Sequence, residues 1–97
     1  MLRPKNKFAH EFLKALQEAA KDKAKLKTFL KVMLTPGEYE EIPKRWQIIK
    51  RLHKGEPQRR IANSLQVGIG TVTRGARELL NKKGELIQIL QKVSKKT

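Results

Sequence analysis

Between Gln58 and Arg77 the chain reads QRRIANSLQVGIGTVTRGAR. Its reactive side chains there are an amide, hydroxyls and guanidinium groups, not nucleophiles or bases. On a helix starting near Ile69, Gly70, Thr73, Arg74 and Arg77 collect on one side at about 100° per residue. Small, hydroxyl and guanidinium groups on one face suit the base-pair edges of a DNA major groove. No carboxylate pair, nucleophile-base set or phosphate-cradling loop is visible in the chain, so an enzyme is not expected. There is no cysteine, and His10 and His53 lie far apart without partners at ligand spacing, so no metal site is expected either.

Two short helices and a tight turn must hold that polar face. Pro57 stands in the first-turn position of the first, where Ile61 and Leu65 share a face. Ala62 beside them is small, as a position must be where a second helix crosses closely. Gln66-Val67-Gly68 then breaks the pattern, and Gly68 is free to take backbone angles that a side chain would forbid. On the second helix Val72, Ala76 and Leu79 form one apolar stripe opposite the polar groups. The pattern is a helix-turn-helix over residues 57–80.

The flanking chain reads as helices too. Residues 1–4 are expected to be a flexible arm with nothing to bury. From about Lys5, Phe8, Phe12, Leu13, Leu16 and Ala20 keep helical spacing, and the lysines at 21, 23, 25 and 27 read as a solvated helix end or turn. A second helix over about Lys25 to Leu34 carries Leu26, Phe29, Leu30 and Met33. Thr35 then caps a third, with Pro36 in its first turn and Glu38 adding the preferred negative charge. Tyr39, Ile42, Trp46, Ile49 and Leu52 make its expected apolar face. Pro43 predicts a kink or break inside it, and Gly55 a stop after about Lys54. After Lys82-Lys83-Gly84 a last helix carries Leu86, Ile87, Leu90 and Val93, followed by a lysine-rich tail. The prediction is an all-α chain of six helices in a single domain, residues 1–97.

Bulk properties narrow the partners. With 97 residues, 38% of them hydrophobic, the chain can build one thin core. Lys and Arg total 23 against 9 acidic residues, a net charge of +14, which predicts attraction to a polyanion. Charge alone leaves DNA, RNA and acidic membrane open. The start, MLRPKNKF, lacks the apolar stretch of a signal peptide, and no apolar run approaches a membrane span. A cytoplasmic protein with no membrane partner is expected.

The chain resembles the bacterial tryptophan repressors. The resemblance runs from about Val32 to Leu80, on MLTP at residues 33–36, Arg45, Gly55-Glu56, Gln58-Arg59 and GIGTVTRG at residues 68–75. It implies an interlocked all-helical homodimer that uses L-tryptophan as corepressor. By matching positions, Arg45 and Arg74 sandwich the indole ring, and Arg74 can also hold the carboxylate. Gly75 lets the ring approach the helix backbone. The carbonyls of Val32 and Leu34, with Thr35, come from the other subunit. Guanidinium planes do stack on aromatic faces and pair with carboxylates. Arg45 could instead pair with Glu41, four residues before it.

On the DNA side the resemblance implies Gln58, Arg59, Ile69, Gly70, Thr71 and Thr73, to which the helical face adds Arg77. Arg59 is expected to bridge guanine O6 and N7, and the threonines to reach phosphate or base edges through water. Water-mediated readout is what this family itself exemplifies, so that point follows from the resemblance alone. Helix-turn-helix dimers, this family included, set two reading helices about 34 Å apart, which implies a palindromic operator.

Four departures from the family pattern stand out. The turn before the motif is one residue shorter. Gln66 stands where a helix-turn-helix commonly has glycine, so Gly68 is expected to carry more of the turn. Pro43 stands where the family tolerates glycine. Glu78 stands where a small residue sits near the ligand's amino group; it could pair with Arg74, read the ammonium, or point outward to Lys82. Three functions stay in play: a tryptophan-activated repressor of tryptophan biosynthesis or uptake genes, the same fold with a lost or changed effector, and a nonspecific nucleic-acid-packaging protein. A packager would not need Arg45 and Arg74 at this spacing around MLTP.

Overall fold

Why the chain is helical throughout is visible in its caps and apolar stripes, and the computed structural model, which describes residues 4–81 and 83–95, bears that out. Six helices follow in order: α1 Pro4–Ala19, α2 Lys23–Met33, α3 Pro36–His53, α4 Gln58–Leu65, α5 Ile69–Asn81 and α6 Lys83–Lys95. No strand occurs among the described residues. The expected arm lies outside the described residues except for Pro4. That residue opens α1, where proline's missing N–H has no intrahelical partner to lose. Lys82 and the end of the lysine-rich tail also lie outside them.

The chain forms two compact units, Met1–Glu40 and Glu41–Thr97. In the first, α1 packs on α2, and the rings of Phe12 and Phe29 stand 5.7 Å apart, tilted by 31°. Helix α2 begins earlier than expected because Asp22 accepts from the amide of Ala24 at 3.0 Å. Thr35 does more than the simple cap expected of it. Its Oγ1 accepts from the Glu38 amide at 3.2 Å, while Glu38 Oε1 accepts from the Thr35 amide at 2.9 Å. This reciprocal box satisfies two of the amides that a helix start leaves without partners.

The second unit holds the rest of α3 with α4, α5 and α6. Its core joins α3, α4 and α5 through Ile48, Ile61, Ala62 and Val72, with Leu52, Leu65 and Val67 packed around them. Ile48 is 2% exposed, yet the expected apolar face of α3 passed it over in favour of a line through Trp46. Ile42 on that line is exposed and Trp46 only half-buried. Pro43 does not break α3, which stays one helix through it.

Two helix ends share one device. Gly55, at φ 89°, ends α3: its amide bonds to the Leu52 carbonyl and that of Glu56 to the Arg51 carbonyl. At the end of α4 the same pair of bonds runs from Gln66 to Asn63 and from Val67 to Ala62. Here Gln66 itself is left-handed, at φ 56° and ψ 47°. The expectation that Gly68 carries the turn is therefore corrected, since Gly68 has no positive φ. The 6→1 bond needs its left-handed residue directly after the last helical turn, and Gly68 comes two residues too late.

Candidate ligand cleft and nucleic-acid face

Helix α3 contributes Glu41, Arg45, Ile48 and Ile49 to a cleft, and α5 contributes Thr71, Arg74, Gly75 and Glu78. Both sets recur at helical spacing, so each helix turns one face to the same space. The cleft encloses about 330 Å³, within the range of small-molecule sites. The isoleucines supply apolar wall, Arg45 and Arg74 two guanidinium groups, Glu41 and Glu78 two carboxylates, and Thr71 a hydroxyl. Such a set can hold an amphipathic zwitterion: apolar surface and guanidinium planes for a flat ring, opposite charges for its two ends.

Gly75 brings the two walls together. A Cβ built there would lie 3.0 Å from Ile48 Cγ2, 3.6 Å from Leu52 Cδ1 and 3.8 Å from Ile49 Cδ1. Its small size therefore serves the approach of α5 to α3 as well as bordering the cleft. Among the described residues, no ion pair joins Arg45 to Glu41, so that simpler role for Arg45 is not realised.

Arg45, Arg74, Gly75 and Glu78, all expected at the ligand, are thus brought together. Val32, Leu34 and Thr35 belong to the N-terminal unit, where Val32 is exposed, Leu34 half-buried and Thr35 engaged with Glu38. Sequence reasoning passed over Glu41, Ile48 and Ile49 as cleft residues. Thr71 was expected on the DNA side. It stands on the cleft wall because positions 71, 74, 75 and 78 share one face of a helix, whereas 73 is about 200° away.

The other face of α5 is open. Ile69, Gly70, Thr73 and Arg77 are exposed, as is Arg59 on α4, while Gln58 is half-buried. Side-chain bonds stitch the motif together at two points. Arg51 on α3 donates to Ser64 Oγ on α4 at 2.8 Å, and Thr73 on α5 donates to Gln58 Oε1 on α4 at 2.8 Å. Neither link had a signal in the sequence, because residues 13 and 15 apart have no fixed relation until helices pack. Among the described residues no helix is long and apolar enough to cross a membrane.

The sequence model of the family described as Trp repressor protein matches residues 8–94. The match takes in the flanking helices, beyond the Val32 to Leu80 stretch that carries the motifs. The chain is similar to the Trp operon repressor homolog of Vibrio vulnificus (strain YJ016), 42% identical over 71 residues, which cover 68% of this chain and 70% of that protein. Against the Trp operon repressor homolog of Vibrio parahaemolyticus serotype O3:K6 (strain RIMD 2210633) the figures are 41% over 70 residues, covering 67% and 68%. Against that of Actinobacillus succinogenes (strain ATCC 55618 / DSM 22257 / CCUG 43843 / 130Z) they are 38% over 69 residues, covering 70% and 67%.

Proposed function

The chain belongs to the Trp repressor family, and from that premise we propose that it is a sequence-specific DNA-binding repressor activated by L-tryptophan, acting as a homodimer in the cytoplasm on tryptophan biosynthesis or uptake genes. The observation that carries this reading is the cleft. The helix that walls it with Arg74, Gly75 and Glu78 also bears the open polar face, so a ligand between α3 and α5 bears directly on how that face is presented. In the proposal Arg45 and Arg74 stack on the indole, Arg74 holds the carboxylate and Glu78 reads the ammonium. Val32, Leu34 and Thr35 come from the second subunit.

In the proposal DNA is met by Gln58, Arg59, Ile69, Gly70, Thr73 and Arg77, while Thr71 stands on the cleft wall. The start of α5 supports this: the Thr71 amide bonds to the Gly68 carbonyl, and Gly68 has no side chain to reach the amides of Ile69 and Gly70, which suit phosphate oxygens. A net charge of +14 supplies the attraction. Dimerisation is supported by large apolar side chains left on the surface of a single chain, among them Phe8, 67% exposed, and Leu80, 75% exposed. We place Phe8, Phe12, Phe29, Leu86 and Leu90 nearest the shared core; in a single chain Phe8 and Phe12 are exposed and Phe29 and Leu86 half-buried. Leu90, 4% exposed, is already covered within one chain.

Calorimetric titration with L-tryptophan, followed by selection of duplexes from a random pool with and without it, tests the proposal. Tryptophan binding and a palindromic selected site, enriched only with ligand, are expected. Selected DNA without any tryptophan dependence would favour a changed effector, which Glu78 in the cleft makes the specific second reading. Equal affinity for selected and random duplexes would reduce the protein to a nonspecific packager.

A further inference from the structure

Gln58 opens α4 and Thr73 stands one turn into α5, and their side chains meet, with Thr73 Oγ1 2.8 Å from Gln58 Oε1. Thr73 Oγ1 also lies 3.0 Å from the carbonyl oxygen of Ile69, and a hydroxyl has one hydrogen for these two neighbours. That hydrogen is committed inside the motif and is not available to a phosphate oxygen, which can only accept. The Gln58 amide is fixed in turn, since with one end against Thr73 only its other end can face away from the pair.

We propose that Thr73 is a positioning residue: it holds the Gln58 amide so that its outer end meets DNA. Nε2 outward takes a phosphate oxygen or the N7 and O6 edge of a purine, and Oε1 outward takes the exocyclic amine of cytosine or adenine. The inference deepens the DNA-binding reading and rests on it. It also reverses the simpler view in which Thr73 and Gln58 touch DNA independently.

A double-mutant cycle on DNA affinity separates the two views. Thr73→Val keeps the shape and the helix propensity while removing the hydroxyl, and Thr73→Ser keeps the hydroxyl. Fluorescence anisotropy at fixed salt, on a selected and a random duplex, is the measurement, with circular dichroism confirming that each variant folds. Thr73→Val and Gln58→Ala should each weaken binding by about fivefold, the worth of one hydrogen bond. The double variant should be no weaker than Gln58→Ala alone, and Thr73→Ser should restore the wild-type value. Losses confined to the selected duplex identify a base edge as the contact, and equal losses on both identify phosphate and with it an outward Nε2. Losses that multiply in the double variant, or a Thr73→Val protein that binds normally, overturn the inference. Failure of the underlying reading shows earlier and separately, as wild-type protein that binds neither duplex.

Discussion

Replacing Gly75 by alanine sets two opposed effects against each other on one helix. Alanine in a helix interior is favoured over glycine by about 0.5–1 kcal/mol, because glycine loses more backbone freedom on folding. Against this, the new methyl would lie 3.0 Å from Ile48 Cγ2, where carbon atoms prefer roughly 3.5–4.0 Å. Ile48 is β-branched and 2% exposed, so it cannot swing away, and relief must come from moving α5 off α3. Overpacking of that kind costs about 1–3 kcal/mol, so Gly75→Ala should be destabilising by up to roughly 2 kcal/mol. Gly70→Ala on the same helix is the control. Nothing lies within 4 Å of its added Cβ, so only the propensity gain remains, and that variant should be more stable than wild type. Urea unfolding at one fixed protomer concentration compares them, since midpoints of a dimer shift with concentration. In an Ile48→Ala background, itself costly, Gly75→Ala should turn favourable. A Gly75→Ala protein as stabilised as Gly70→Ala would refute the reasoning, because the close approach of the two helices would then carry no energy.

Gln66→Gly removes a side chain from a left-handed position at φ 56° and should stabilise the chain by about 0.5–1 kcal/mol. The left-handed penalty of about 1–2 kcal/mol is partly offset by the freer unfolded state of glycine; a lower unfolding midpoint would contradict it. Arg59→Ala should cost about 1–3 kcal/mol on the selected operator and relax discrimination at one base pair. If random DNA loses as much, its base-reading role is wrong. Glu78→Ala should weaken L-tryptophan but leave indole-3-propionate, which lacks the amine, unchanged in a calorimetric titration. Strengthening of both ligands would make Glu78 a brake on Arg74, and no change in either would place it outside recognition.

What the sequence by itself determined is whatever is settled within about one helical turn. Thr35-Pro36 opens α3, Glu38 lies where it can close the cap, and Gly55 stops the helix at a positive φ. Val72, Ala76 and Leu79 mark the inner side of α5 by their own spacing, and Ile61 with Ala62 does the same for α4. Those interactions join residues up to a few positions apart, so their geometry follows from the helix itself. The ligand roles expected of Arg45, Arg74 and Glu78 were legible in a different way, through the resemblance to the family position by position, since no spacing rule of a single helix joins α3 to α5. Tertiary structure alone decided how far each helix is rotated about its axis when it packs. That rotation brought Ile48 in beside Ile49 and Leu52 of the expected line, against the small surface that Gly75 presents on α5. It carried Thr71 to the cleft wall, joined Arg51 to Ser64 and Gln58 to Thr73, and asked a left-handed conformation of Gln66 although a glycine stood two residues on. Rotation is set by the fit of whole side chains between helices, and single-helix periodicity leaves it open by about the 100° that separates one residue from the next.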